Sequence, residues 1–164
     1  MPSFTHLTPD GDAHMVDVGD KIPTRRSATA SARVTFPPDV YAALRASGGQ
    51  TKKGAIITTA QLAGIMAAKQ TASLIPLCHP LPLDKVELDI AYNDAASALD
   101  IHATCRVTHK TGVEMEALTA ASIAALTLYD MCKALSHDIT ISDIRLEHKS
   151  GGKHDYTLPQ GNTP

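Results

Sequence analysis

Val86-Glu87-Leu88-Asp89-Ile90-Ala91-Tyr92, followed after Asn93-Asp94-Ala95-Ala96 by Leu99-Asp100-Ile101-His102-Ala103-Thr104-Cys105-Arg106-Val107, decides the fold of this chain. Val86, Leu88, Ile90 and Tyr92 alternate with charged or small residues, and so do Leu99, Ile101, Ala103, Cys105 and Val107. A period of two puts each apolar set on one sheet face. The Asn-Asp connection supplies the turn of an antiparallel hairpin.

Upstream of the hairpin, Ala28, Ala30, Ala32, Val34 and Phe36 alternate as a further strand. Pro37-Pro38 ends it, and Pro38 suits the first turn of a short helix running to about Ala46. After the flexible Ser47-Gly48-Gly49-Gln50, the spacing of Ile56, Ala60, Ala63 and Ala67 predicts a long helix from Lys53 to Ala72. Small residues along it (Ala60, Ala63, Gly64, Ala67, Ala68) allow another element close approach. Pro76, Pro80 and Pro82 then enclose a stiff loop from Ile75 to Leu83.

Downstream, Thr111-Gly112-Val113-Glu114 fits a capping box opening a helix from about Val113 to Leu135. The last strand runs from Ile139 to His148, with a slipped alternation that implies a bulge near Ser142-Asp143. The order is strand, helix, helix, strand, strand, helix, strand. This predicts an α+β fold, a ferredoxin-like antiparallel sheet with its helices packed on one face. Residues 1–24 read as an N-terminal arm, 25–150 as a single catalytic domain, and 151–164 as a polar tail expected to be mobile.

The 164 residues are 43% hydrophobic and 20% charged, a globular composition with enough chain for a real core. A net charge of -2 and a pI of about 6.4 argue against a nucleic-acid partner. Cys78, Cys105 and Cys132 are an odd, widely spaced set that suits reduced thiols in a cytosol. No basic-then-apolar leader opens the sequence, and no run approaches the ~20 apolar residues that span a bilayer. The expectation is a cytoplasmic protein without a membrane partner.

Candidate chemistry lies in four places. In Tyr129-Asp130-Met131-Cys132-Lys133, Asp130 and Lys133 share a helix face. A surface ion pair worth ~0.3 kcal/mol would explain them. A proton-transferring carboxylate beside an anion-binding ammonium would also do so, and the apolar Met131 and Cys132 favour it by implying partial burial. Leu77-Cys78-His79 lies in the proline-bounded loop, where backbone and imidazole contacts to a ligand fit better than a thiolate–imidazole couple. No CxxC, HxxxH or close ligand spacing supports zinc, so no metal site is expected.

Glu114 and Glu116 open the long helix, whose free amides can receive an anionic or carbonyl group. Glu114 is accounted for by the capping box, whereas Glu116 has less structural need to be there. Of the scattered bases (Lys21, Arg25, Arg26, Lys52, Lys53, Lys69, Lys149, Lys153), Lys53 at a helix start opposes the dipole unless a ligand's negative charge offsets it. Lys149-Ser150-Gly151-Gly152-Lys153 suits phosphate contact without being the GxxxxGK[ST] loop.

Glu116 and Asp130 fall on one helix, fourteen residues apart, hence roughly 21 Å at 1.5 Å per residue. One helix cannot place both on a modest substrate. If both ends are functional, the site gathers them from different copies of the chain, which makes a homo-oligomer the expected partner state.

Taken together, several blocks resemble the cyclic pyranopterin monophosphate synthase family (MoaC) of molybdenum-cofactor biosynthesis. They are His14-Met15-Val16-Asp17-Val18, Ala63 to Lys69, Leu74 to Leu81, Thr111 to Thr119, Tyr129 to Lys133 and Lys149 to Lys153. The resemblance implies a lyase that converts 3',8-cyclo-7,8-dihydroguanosine triphosphate into cyclic pyranopterin monophosphate, releasing pyrophosphate. It also implies a ferredoxin-like subunit in a homohexamer, a trimer of dimers with active sites between subunits.

Carried onto matching positions, Asp130 becomes the catalytic acid/base, with Lys53, Lys133 and Lys149 in the catalytic pocket. Leu77, Cys78, His79, Met115, Glu116, Glu114 and Arg26 become substrate-binding. No tightly bound cofactor is expected, and Mg2+ at most accompanies the triphosphate. Two departures stand out: Ala55-Ile56 follows Lys53-Gly54 where the family commonly has Asp-Val, and His154-Asp155 follows Lys153 where it often has Ser-Gly. The competing classes are a non-catalytic nucleotide binder on the same fold and a metal-dependent cyclohydrolase. An acid/base residue counts against the first, and missing ligand spacings count against the second.

Overall fold

The computed structural model describes residues 5–159; the ends of the expected arm and tail, 1–4 and 160–164, lie outside them. One sheet contains β1 (Thr24–Thr35), β4 (Lys85–Asn93), β5 (Ala98–His109), β6 (Thr140–Ser150) and the short β7 (Tyr156–Thr157). A separate two-stranded hairpin pairs β2 (Gln50–Thr51) with β3 (Gly54–Ala55). The helices are α1 (Pro38–Ala46), α2 (Ile56–Lys69), α3 (Thr71–Leu74) and α4 (Glu114–Cys132). The large sheet runs β4-β5-β1-β6-β7, and all its pairings are antiparallel. This is the α+β arrangement that the alternating segments predict.

Register turns that alternation into a core. Ala28 lies opposite Cys105, Ala30 opposite Ala103, Ala32 opposite Ile101 and Val34 opposite Leu99. Across the next pair, Leu88 meets Ala103 and Ile90 meets Ile101, and every one of these residues is buried. The opposite face carries the out-of-phase residues. There Arg33 holds Asp100 through Nε and Nη2 at 2.6 and 3.1 Å, and the Thr29 and Thr104 hydroxyls meet at 2.8 Å.

α2 and α4 cover the apolar face together. Ala117, Ala120, Ala121, Ala124 and Ala125 of α4 are fully buried, a small-residue ridge that permits close helix approach. Gly64 of α2 completes the fit. A Cβ there would run into the Leu88 side chain and lie 3.0 Å from the Ala120 carbonyl. No helix among the described residues is long and apolar enough to cross a membrane.

Five local expectations need correction. The long helix starts at Ile56 rather than Lys53, because Gly54 takes φ +106, which no α-helix accommodates. Lys53 therefore occupies the β2–β3 turn, and the dipole argument made for it does not apply. The helix also breaks at Gln70 before the short α3.

The capping box is absent too. α4 begins at Glu114 with Val113 as its N-cap and no side-chain cap, so Glu114 lies too early in the helix for the box geometry. Its carboxylate instead lies against Gly112, where a side chain would collide with it. α4 ends at Cys132, leaving Lys133 as its cap. Finally, the segment after Gly151 does not simply trail away: Tyr156 and Thr157 pair with Lys149 and His148. The expected bulge is present, with a register shift between Ser31 and Arg33 opposite Ser142 and Asp143 at φ +56.

Candidate active site

Asp130 stands on the last turn of α4, where a carboxylate opposes the helix dipole. Two ammonium groups offset this. Lys133, one turn on, lies 2.8 Å from Oδ1, and Lys53 lies 2.7 Å from Oδ2. Lys53 also donates to the Asp130 backbone carbonyl at 3.0 Å.

The side chains of all three residues are about half exposed, whereas Met131 and Cys132 turn into the core. The expected apolar surround is therefore not what tunes Asp130. Hydrogen bonds from Lys133 and Lys53 hold its carboxyl down at about 2, and the same contact raises Lys133. These residues line a cavity of about 440 Å³ with Leu44, Thr51 and Leu135, a size suited to a small ligand.

The other end of α4 holds a second cavity of about 570 Å³, where Leu77, Cys78 and His79 converge with Glu114, Met115 and Glu116. Glu116 is 3% exposed. Burial, and to a smaller degree neighbouring Glu114, push its carboxyl up to about 7. The same burial, with the Glu116 charge nearby, raises the Cys78 thiol. A thiol held up this way is a poor nucleophile at neutral pH, which agrees with a contact role for Cys78.

Lys149 belongs to this end and not to the Asp130 cluster: its Nζ lies 3.0 Å from Glu114 Oε1. It lines an adjoining cavity of about 280 Å³ with Arg26, Gly112, Ser150 and Lys153. Arg26 spends two donors on the structure, Nε to the His109 carbonyl at 3.2 Å and Nη2 to the Lys110 carbonyl at 3.1 Å. That fixes its guanidinium beside the Lys149 cavity. The candidate residues thus sort into two groups at opposite ends of α4, with the roughly 21 Å of its rise between Glu116 and Asp130.

The arm contributes lining as well: Thr5, His6, Lys21, and the Val16 and Val18 of the His14–Val18 block wall the Cys78 cavity. His79 Nε2 donates to the Val16 carbonyl at 2.8 Å, tying the arm to the proline-bounded loop. The segment has no repeating apolar face and is held by single contacts such as this one. Among the described residues, no three His, Cys, Asp or Glu side chains gather where they could hold a metal ion.

The chain is 56% identical over 157 residues to a Xanthomonas axonopodis pv. citri (strain 306) protein named cyclic pyranopterin monophosphate synthase, covering 96% of this chain and 94% of that protein. A protein of the same name from Nostoc sp. (strain PCC 7120) is 55% identical over 158 residues, covering 96% and 93%. The model of the MoaC family matches residues 15–152, most of the chain's length and both groups of candidate residues. This chain belongs to the MoaC family.

Proposed function

We propose that the chain is a cyclic pyranopterin monophosphate synthase, a lyase that converts 3',8-cyclo-7,8-dihydroguanosine 5'-triphosphate to cyclic pyranopterin monophosphate with loss of pyrophosphate, in molybdenum-cofactor biosynthesis. Membership of the family and the names of its relatives support the reaction. The observation on this chain that carries it is Asp130 held between Lys53 and Lys133 at a ligand-sized cavity. Building the pyranopterin requires ring opening, reclosure and proton movement, which is general acid–base work. Closing the cyclic phosphate requires a sugar hydroxyl to bond the α-phosphorus as the bond to pyrophosphate breaks. Lysines stabilise the charge developing there.

A carboxyl at about 2 is ionised and weakly basic at neutral pH. A polyanionic substrate competes for the ammonium groups that hold it there. As Lys53 or Lys133 turns to phosphate, the Asp130 carboxyl loses a partner and its pKa climbs toward the range where proton transfer is effective. Glu116, already near neutrality, can give or take a proton from its buried position while Leu77, Cys78, His79 and Met115 hold the base. Lys149 and Arg26 serve the phosphates, with Glu114 holding Lys149 until substrate arrives.

We further read the subunit as ferredoxin-like and the assembly as a cytoplasmic homohexamer, a trimer of dimers. The separation of the two groups along α4 supports sites completed between subunits. No tightly held cofactor is invoked, and Mg2+ enters only with the triphosphate. The test is to incubate the purified protein with the cyclic dihydro-GTP precursor, with and without EDTA, and to follow product and pyrophosphate. Unchanged substrate under competent conditions would move the assignment to a nucleotide-binding protein.

A further inference from the structure

The charge cluster explains where the tip of Lys53 goes but not what fixes its backbone. Lys53 sits in the turn of a hairpin only two residues deep on each side, too short to be stable alone. Within it, the Lys53 N–H donates to Thr51 Oγ1 at 3.1 Å, and Thr51 Oγ1 donates to the Gly54 carbonyl at 3.2 Å. The hairpin meets the body of the protein at Gly49. There the Gly49 N–H donates to the Leu44 carbonyl at 3.2 Å, and its carbonyl accepts from the Ile56 N–H at 3.0 Å. One residue thus joins the end of α1, the hairpin and the start of α2.

Gly49 takes φ +72, and a Cβ on it would lie 2.8 Å from Tyr92 Oη. The tyrosine therefore stands directly against this turn. It is itself held. The Arg45 guanidinium lies 4.4 Å from its ring centroid, and Tyr41 packs edge-on with centroids 6.2 Å apart. Asp94 Oδ1 then closes the group, accepting from Tyr41 Oη at 2.7 Å and pairing with Arg45 Nε at 3.2 Å. Arg45 is about half exposed and Asp94 largely so, so this pairing contributes little to stability. What it does supply is a fixed wall.

We propose that Tyr92 is a positioning residue for Lys53, acting through the Gly49 turn to set the height of the β2–β3 hairpin at the Asp130 cavity. Tyr92 stands behind the glycine turn and touches neither Lys53 nor Asp130 through any hydrogen bond or ion pair. Shortening it leaves a gap behind Gly49 into which the hairpin can relax, carrying Lys53 away from Asp130. Displacements of this kind cost turnover more than substrate binding. The inference rests on the lyase reading above for what Lys53 does.

The test is a double-mutant cycle on the full-length enzyme, with oligomeric state and Tm measured for every variant. Tyr92→Ala is expected to lower kcat about tenfold with KM changed less than about threefold. In a Lys53→Ala background the same change should lower the residual kcat less than about twofold, since its effect passes through a side chain already gone. Gly49→Ala supplies a second arm. At φ +72 the alanine's backbone strain persists whatever stands at position 92, but its methyl also meets the Tyr92 hydroxyl. Adding Tyr92→Phe should therefore restore part of the lost kcat, and an absence of restoration counts against the inference. Equal proportional losses in both backgrounds, or no loss in Tyr92→Ala, overturn the inference. A parent enzyme that forms no product removes the lyase reading and the inference with it. A parent that turns over beside an unaffected Tyr92→Ala overturns the inference alone.

Discussion

Lys53 Nζ lies 2.7 Å from Asp130 Oδ2 although 77 positions separate the two residues in sequence. This contact ties a small hairpin to the end of α4, and its worth is functional more than structural, because half-exposed ion pairs stabilise folds weakly. Lys53→Ala and Asp130→Asn should each lower kcat by at least about 100-fold while Tm and oligomeric state stay near those of the parent. In Lys53→Ala the Asp130 carboxyl should also move up from about 2 toward its ordinary 3.8. Carboxyl NMR titration reads that shift. Near-normal product formation by either variant would remove that residue from the catalytic set.

Glu116 gives stability a pH dependence of defined sign. Its carboxyl is raised from an ordinary 4.5 to about 7, so between those values the folded chain keeps a proton that the unfolded chain has released. Stability from this group is therefore greatest below about 4.5, falls as pH rises through the window, and is flat above about 7. Each unit of difference corresponds to about 1.4 kcal/mol. Glu116→Gln should remove this slope, so its Tm relative to the parent climbs with pH across the window. A constant offset would show that Glu116 titrates normally.

Much of the fold was legible because the strands obey strict rules. Ala28 to Phe36, Val86 to Tyr92 and Leu99 to Val107 alternate cleanly, and a period of two has one reading when one face is buried. Even the bulge at Asp143 announced itself as a slipped alternation. The helix starts were misread where local signals compete with backbone geometry. Lys53-Gly54-Ala55 carries helix-compatible residues on either side of a glycine, and only Gly54's positive φ reveals the hairpin. Thr111-Gly112-Val113-Glu114 satisfies a capping-box pattern, yet the Lys149 ammonium claims the Glu114 carboxylate from 35 positions away. No local pattern encodes that partner.

The site was legible in its parts and in one distance. Helical rise alone separated Glu116 from Asp130, and the structure keeps both on one helix. Sequence spacing does not show that, within one chain, Lys149 stands with Glu114, or that the arm residues Val16 and Lys21 wall the Cys78 cavity. Those placements follow from strand pairing and single long-range contacts, which have no periodic signature.

Gly64 tests the α2–α4 packing that holds the two ends of the site at their separation. An added methyl would meet the Leu88 side chain and press on the Ala120 carbonyl at 3.0 Å. Leu88 can swing, but the helix backbone cannot move without shifting the alanine ridge. Gly64→Ala should therefore destabilise the fold by about 1–3 kcal/mol, and Gly64→Val by more. Thermal or urea unfolding measures this. An unchanged or higher stability would mean that the helices have slack that their contact geometry does not suggest.

The separation along α4 leads to a prediction that needs no knowledge of the chemistry. If each site takes the Asp130 group from one chain and the Lys149–Glu114 group from another, variants damaged at opposite ends should complement. Asp130→Asn alone and Lys149→Ala alone leave every site with one defective half. Co-refolded or co-expressed in equal amounts, random assembly pairs two intact halves in about a quarter of the sites. Activity should therefore recover to about a quarter of the parent's, well above either variant alone. Two variants from the same end, Asp130→Asn with Lys133→Ala, supply the control. They should show no recovery, because every Asp130 group remains damaged however the chains mix. Recovery absent from the first pair as well, in assemblies proven to be mixed, would place the whole site within one chain. One α4 would then have to serve a single substrate at both of its ends, across a span of roughly 21 Å.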